Sequence, residues 1–246
     1  MSLTVGSGPF GHRPTGRFDF EAPREVTFVE VHRPRVRGLK DGETVVDSDR
    51  VHLVYRTGSL PRYAFPAEDV SIAAEPEPAV DGYVTVDWDA VDRWLEEDSE
   101  IVVHPHDPYH RIEVLESSRH VTVNVNGERV ADSAAPRILF ETGLPLRYYL
   151  PREDVETALL SDDDLETGCA YKGFARYFGA AGVEAVAWTY DEPLRDGEPV
   201  RGHICFFQER DEVELVIDGE VQARPQTPWS GTKWMERYRS RPERLA

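Results

Sequence analysis

An internal duplication at a fixed spacing of 85 residues restricts this chain more than any other feature. Gly42-Glu43-Thr44-Val45-Val46-Asp47-Ser48 returns as Gly127-Glu128-Arg129-Val130-Ala131-Asp132-Ser133. Thr57-Gly58 returns as Thr142-Gly143, and Arg62-Tyr63 as Arg147-Tyr148. Pro66, Glu68, Asp69 and Val70 return as Pro151, Glu153, Asp154 and Val155. Laid over one another without a gap, 42–70 and 127–155 agree at 13 of 29 positions. The period is too long for a solenoid repeat and suits a small domain. The expected organisation is an N-terminal arm (1–28), a first, degenerate copy (29–115), a second copy (116–221) and a C-terminal tail (222–246).

Each copy reads as β structure. In His120-Val-Thr-Val-Asn-Val-Asn-Gly127 the valines alternate, so Val121, Val123 and Val125 share one face, and Asn126-Gly127 supplies the positive φ angles of a tight hairpin. Asp41-Gly42 is the same turn in the first copy. The runs Val51-His-Leu-Val-Tyr55 and Arg137-Ile-Leu-Phe140 are short, apolar and β-rich, as buried strands are. Asp218-Gly219 predicts a last hairpin. One stretch breaks the pattern: Trp88, Val91, Trp94 and Leu95 fall at helical spacing behind a capping Asp87, which predicts a helix over 87–97. The fold class is therefore mainly β, two tandem similar domains with few short helices.

Charge narrows the partners. There are 46 acids against 28 bases, a formal charge of −18 that repels phosphate backbones and anionic headgroups; neither nucleic acid nor a membrane is an expected partner. No apolar run is long enough for a membrane-spanning helix. The first residues lack a basic-then-apolar leader, and Cys169 and Cys205 are too few for a disulfide framework or a four-thiolate zinc site. The expected setting is a reducing cytoplasm. From Gln222 to Ala246 six bases face two acids, a local +4 against −22 for the remainder. Such a tail either docks on its own acidic body, anchored by Trp229 and Trp234, or reaches for an acidic partner.

The copies differ where chemistry would sit. The second carries Asp162–Pro193 with Cys169, Tyr171, Lys172, Gly173, Trp188 and Tyr190, for which the first has only the short Ala73–Asp81. Lys172 is one of three lysines among 28 bases. A cation three residues from Cys169 favours its thiolate, and a lysine among aromatics binds anions or acts as an amine nucleophile. The bland alternatives are a small buried cysteine and a lysine paired with an acid of Ser161–Glu166. Glu141 stands only in the second copy, Arg56 taking its place in the first, and can serve as a base or ligand anchor if buried. Arg147 offers a planar fork, yet Arg-Tyr is kept in both copies, which favours a fold role, Tyr148 as core and Arg147 in an ion pair. Trp188 and Tyr190 share a strand face, as core or as a pocket wall. His104, His106, His110 and Asp107 could chelate a metal, but Pro105 and Pro108 make the segment a junction loop. No phosphate-binding glycine loop and no Gly-x-Ser-x-Gly elbow occurs.

Taken together, Ser118-Arg-His-Val-Thr-Val123, Ala131-Asp-Ser133, Phe140-Glu-Thr-Gly-Leu-Pro145, Arg147-Tyr-Tyr-Leu-Pro-Arg-Glu-Asp-Val155, Cys169-Ala-Tyr-Lys-Gly173, Ala187-Trp-Thr-Tyr190 and the junction His104-Pro-His-Asp-Pro-Tyr-His-Arg111 resemble the domain-of-unknown-function 427 family, in a tandem form with a degenerate first copy. Some catalogues label that family nucleotidyltransferase-like. The resemblance implies a β-tent fold, as in methionine-sulfoxide reductase B and the cereblon ligand-binding domain. Several β-tent proteins hold zinc on four cysteines, which two cysteines cannot do. The family's usual Cys-Pro-Tyr-Lys-Gly carries Ala170 in place of the proline here.

The leading expectation is a small-molecule site, for an anionic or nucleotide-like ligand and without cofactor or metal, in a cleft of the second copy lined by Glu141, Arg147, Tyr148, Lys172, Trp188 and Tyr190, with Tyr171 beside it. One alternative is a transferase-like enzyme with Cys169 or Lys172 as nucleophile, assisted by Glu141. Another is an interaction module working through its tail. Oligomeric state is left open.

Overall fold

A computed structural model describes residues 3–239. The chain divides into two compact units, Met1–Arg111 with Thr142–Leu144, and Ile112–Glu141 with Pro145–Ala246. The protein is mainly β, and every strand pair is antiparallel.

The first unit holds β1 (Thr27–His32), β2 (Val36–Lys40), β3 (Glu43–Ser48), β4 (Val51–Arg56), β5 (Ser59–Pro66), β6 (Glu75–Pro76), β7 (Tyr83–Thr85), β8 (Arg93–Glu96) and β9 (Ser99–Ile101). They form two sheets, ordered β1-β4-β5-β7-β6 and β3-β2-β8-β9. The second unit holds β10 (Ile112–Glu116), β11 (Val121–Val125), β12 (Glu128–Ser133), β13 (Arg137–Glu141), β14 (Arg147–Leu150), β15 (Leu160–Cys169), β16 (Gly173–Ala180), β17 (Val183–Thr189), β18 (Ile204–Phe206), β19 (Val213–Ile217) and β20 (Glu220–Val221), followed by the helix α1 (Lys233–Arg239). Its sheets are ordered β10-β13-β14-β18-β17-β16-β15 and β12-β11-β19-β20.

The duplication is visible in backbone geometry. The β2–β3 hairpin shifts register between Gly38 and Leu39, and β11–β12 between Val123 and Asn124. Asp41-Gly42 and Asn126-Gly127 both turn with positive φ at each residue, the requirement of a type I′ hairpin. Isolated bridges join Val46 to Val70 and Ala131 to Val155, and 3-10 turns follow Pro66 and Pro151. Each pair is separated by the same 85 residues found in the sequence.

The helix expected over 87–97 does not form. Asp87 accepts a hydrogen bond from the Asp89 amide at 3.0 Å and caps only a 3-10 turn, Trp88–Ala90. The chain then enters β8, which pairs with β2 on one side and β9 on the other. A turn followed by a strand buries the same residues a helix would have: Val91 and Trp94 enter the core of the first unit, and Trp94 stacks on Phe65 and Trp88. Gly38 makes room for it, since a Cβ there would come within 3.2 Å of the Trp94 ring. The strand also satisfies the open edge of β2, which a helix could not.

In the second unit the seven-stranded sheet has two buried faces. One packs on Val121, Val123, Val125, Val213, Leu215 and Ile217 of the four-stranded sheet. The other is aromatic, built from Tyr149, Tyr177, Trp188, Tyr190 and Phe207 around Leu139 and Cys205, and it is met by Trp229, Trp234, Met235 and Tyr238 of the C-terminal segment.

Candidate functional site

The aromatic face begins as a cross-strand row. Register places Tyr149 of β14 opposite Cys205 of β18, Cys205 opposite Trp188 of β17, and Trp188 opposite Tyr177 of β16. The Trp188 indole donates to the Tyr149 hydroxyl at 3.0 Å, and Tyr177 shares a 2.9 Å hydrogen bond with Thr167. Phe207 lies 4.4 Å from the Trp188 ring centroid.

Two buried ion pairs border this row. Arg147 donates through both terminal nitrogens to Glu209, at 2.6 and 2.7 Å, with side chains 6% and 0% exposed. Its guanidinium also lies over Trp188 and Phe207. Glu209 accepts a third hydrogen bond, 3.0 Å, from the Thr227 hydroxyl of the C-terminal segment. The second pair joins Lys172, in the turn between β15 and β16, to Glu141 at the end of β13; the ammonium donates at 2.5 Å, and the side chains are 7% and 6% exposed. The Lys172 carbonyl accepts from the Leu194 amide at 3.0 Å, and Gly197 packs against the Lys172 backbone, so the lysine is held by main chain as well as by its charge.

Burial alone would depress the Lys172 pKa, but the Glu141 carboxylate, with Cys169 and Tyr149 adding to it, raises it above its ordinary value and keeps the ammonium charged. Burial pushes Tyr149, Tyr177 and Tyr190 upward and pushes the Cys205 thiol up to about 12, so all four stay neutral near pH 7. Tyr149 lies within electrostatic reach of both Tyr190 and Lys172, and Tyr190 of Cys169 and Glu141.

The expected site residues divide. Glu141, Arg147, Lys172, Trp188 and Tyr190 share the aromatic side of the sheet, with Cys169 half-buried beside them at the end of β15. Tyr148 does not join them. Strand alternation along β14 sends Arg147 and Tyr149 one way and Tyr148 the other, into the core against the four-stranded sheet. Tyr171 sits at the β15–β16 turn next to Lys172, half-buried. An open cleft is not what these residues form: Arg147, Lys172, Trp188 and Tyr190 are all buried, and the C-terminal segment packs on the Tyr177 and Phe207 part of the face. The lysine's acid is Glu141, rather than one from Ser161–Glu166. Glu209, Thr227, Tyr149 and Phe207 complete the centre and were missed by sequence reasoning. Glu209 carried one signal: it follows the apolar run Ile204-Cys-Phe-Phe207, where an acid needs a buried partner.

The described part of the tail docks on its own unit. Of its bases, Arg241 and Arg244 lie outside the described residues. In the first unit His104 is half-buried, its Nδ1 donating to the Pro105 carbonyl at 2.7 Å, and desolvation lowers its pKa. Among the described residues no group of three or more His, Cys, Asp or Glu is placed to hold a metal ion.

Fold and site together define a β-sheet domain with a closed centre of tyrosines, tryptophan and two buried ion pairs. Residues 113–219, within the second unit, match the family model described as domain of unknown function (DUF427). A comparison with curated proteins returns no match.

Proposed function

We propose that the second unit binds a small molecule bearing an oxyanion and a flat ring, at the centre formed by Lys172, Tyr149 and Tyr190. One observation carries this reading. The Lys172 ammonium has three protons, and among the described residues only Glu141 accepts one. Tyr149 accepts from Trp188, and its own proton finds no acceptor among the described residues. Buried donors are ordinarily satisfied, so a concentration of spare protons suits an acceptor brought in from outside, such as a carboxylate or phosphate. Trp188, Tyr177 and Phe207 offer ring faces for its planar part. Glu141 acts as the positioning residue that keeps Lys172 charged and in place.

A nucleoside monophosphate meets both requirements, in keeping with the nucleotide-like ligand expected from sequence. The raised pKa of Lys172 weighs against an amine nucleophile at neutral pH. Two free thiols and the acidic surface fit a cytoplasmic small-molecule binder, and no helix among the described residues is long and apolar enough to cross a membrane. The test is ligand-induced stabilisation with AMP and benzoate as probes. A concentration-dependent rise in Tm, abolished in Lys172→Met and weakened in Tyr190→Phe, supports the reading. Equal responses of wild type and Lys172→Met, or none in either, refute it.

A further inference from the structure

The C-terminal segment covers the aromatic face by means unlike those used anywhere else in the second unit. The last main-chain bond tying it to a strand is that from the Gln222 amide to the Leu215 carbonyl, at 2.8 Å. From Ala223 to Arg239, among the described residues, no main-chain hydrogen bond joins the segment to the sheets; those present, such as Ser230 to Thr227 and Met235 to Thr232, lie within it. Side chains hold it at three points. Arg224 donates to the Asp211 and Val213 carbonyls at 2.8 and 3.3 Å. Thr227 donates to Glu209 at 3.0 Å. Arg239 donates to Asp163 at 2.7 Å and Glu184 at 3.0 Å, with Asp164 at 3.7 Å. Between the second and third points Trp234 packs on Tyr177 and Phe207.

The seat is incomplete. Among the described residues the Trp234 Nε1 is buried without a hydrogen-bond partner, a state that costs free energy and that a permanent core tryptophan ordinarily avoids. The Arg239 end lies over a broad recess of roughly 600 Å³ lined by Ser161, Asp162, Asp163, Asp164 and Glu184, where water reaches the pairs and screens them.

From these features we infer that the segment 225–239 is a removable cover, hinged at Arg224, which opens as a unit while the two sheets stay folded and so uncovers Tyr177 and Phe207, ring faces proposed above for the planar part of the ligand. The inference rests on the proposed reading of that centre for its purpose, but the opening itself stands on the pattern of attachment. The ring faces of Tyr177 and Phe207 gain an entrance in this way. The closed cover also lowers apparent affinity, because ligand binds only the open fraction.

Hydrogen exchange on the 246-residue chain, read by mass spectrometry, tests the opening. Amides of 225–239 are expected to exchange well before those of β16, β17 and β18. Arg239→Ala is expected to speed the segment severalfold, and Thr227→Val with Arg239→Ala about tenfold, with the strands unchanged. AMP, as the probe, then binds the double variant more tightly by the same factor. Protection of the segment equal to that of β16 and β17, in wild type and double variant alike, overturns the cover. Early exchange of the segment with no AMP binding to either protein upholds the opening and overturns the ligand reading.

Discussion

Replacing Arg147 by methionine is the sharpest probe of how the aromatic face is held together. Methionine keeps an unbranched apolar stem against Trp188 and Phe207 but removes both donors from Glu209, whose side chain is 0% exposed. What remains is a carboxylate with one hydroxyl donor, Thr227, and no counter-charge among the described residues. Breaking a buried pair from one side costs about 3–5 kcal/mol, a large share of a total stability of about 5–15 kcal/mol. At about 2–4 °C per kcal/mol for a chain of this size, Tm falls by roughly 6–20 °C. Glu209→Gln is expected to cost a similar amount by stranding the guanidinium. The double variant Arg147→Met with Glu209→Leu places two apolar side chains where two charges stood and is expected to recover most of the loss. The assay is urea unfolding followed through the tryptophans of the second unit, Trp188, Trp229 and Trp234. Single variants within about 1 kcal/mol of wild type, or a double variant no better than either single, would refute the argument that Glu209 is a buried charge dependent on Arg147.

Other consequences are open to direct measurement. Because the Lys172, Tyr149 and Tyr190 pKa values are raised on folding, their stabilisation is fully present below the unfolded values near 10 and is lost as pH climbs beyond them. The urea midpoint should hold from neutrality to about pH 10 and then decline, and Tyr149→Phe should soften that decline; identical alkaline limbs would count against it. In the first unit, burial opposes ionisation of Glu96, but the close His32 ring and the hydrogen bond from Tyr63 reverse this and lower its pKa. That contribution is present above the unfolded value of about 4.5 and fades as pH falls through the lower folded value, so Glu96→Gln should flatten the acid limb of the first unit's unfolding curve. Alkylation at neutral pH, followed by mass spectrometry, should label Cys169 and spare Cys205 until the chain is unfolded, since burial pushes the Cys205 thiol up to about 12. A Cys169 rate well above that of a free thiol would favour the thiolate-enzyme alternative.

The duplicated hairpins were legible because turn chemistry is local: Asp41-Gly42 and Asn126-Gly127 need no tertiary partner to declare themselves. The alternating valines of β11 were legible for the same reason. The segment 87–97 misled because Trp88, Val91 and Trp94 satisfy a helical period while being buried by a turn and a strand, and only the unpaired edge of β2, distant in sequence, decides between the two. In the site, Lys172 and Glu141 could be singled out as residues absent from the first copy, but not as partners, since 31 positions separate them. Tyr148 was grouped with Arg147 on adjacency, which strand alternation contradicts. Glu209 and Thr227 lie outside the aligned repeat, in segments with no internal copy against which to compare them.

The way the C-terminal segment is fastened to the second unit bears on how the protein should be handled at the bench. An affinity handle fused downstream of Arg239 would be attached to a stretch that, among the described residues, meets the sheets through side chains and not through main-chain pairing. Tethering the protein to resin or sensor through such a handle would pull on that anchor, and binding constants measured this way would describe a partly unlatched molecule.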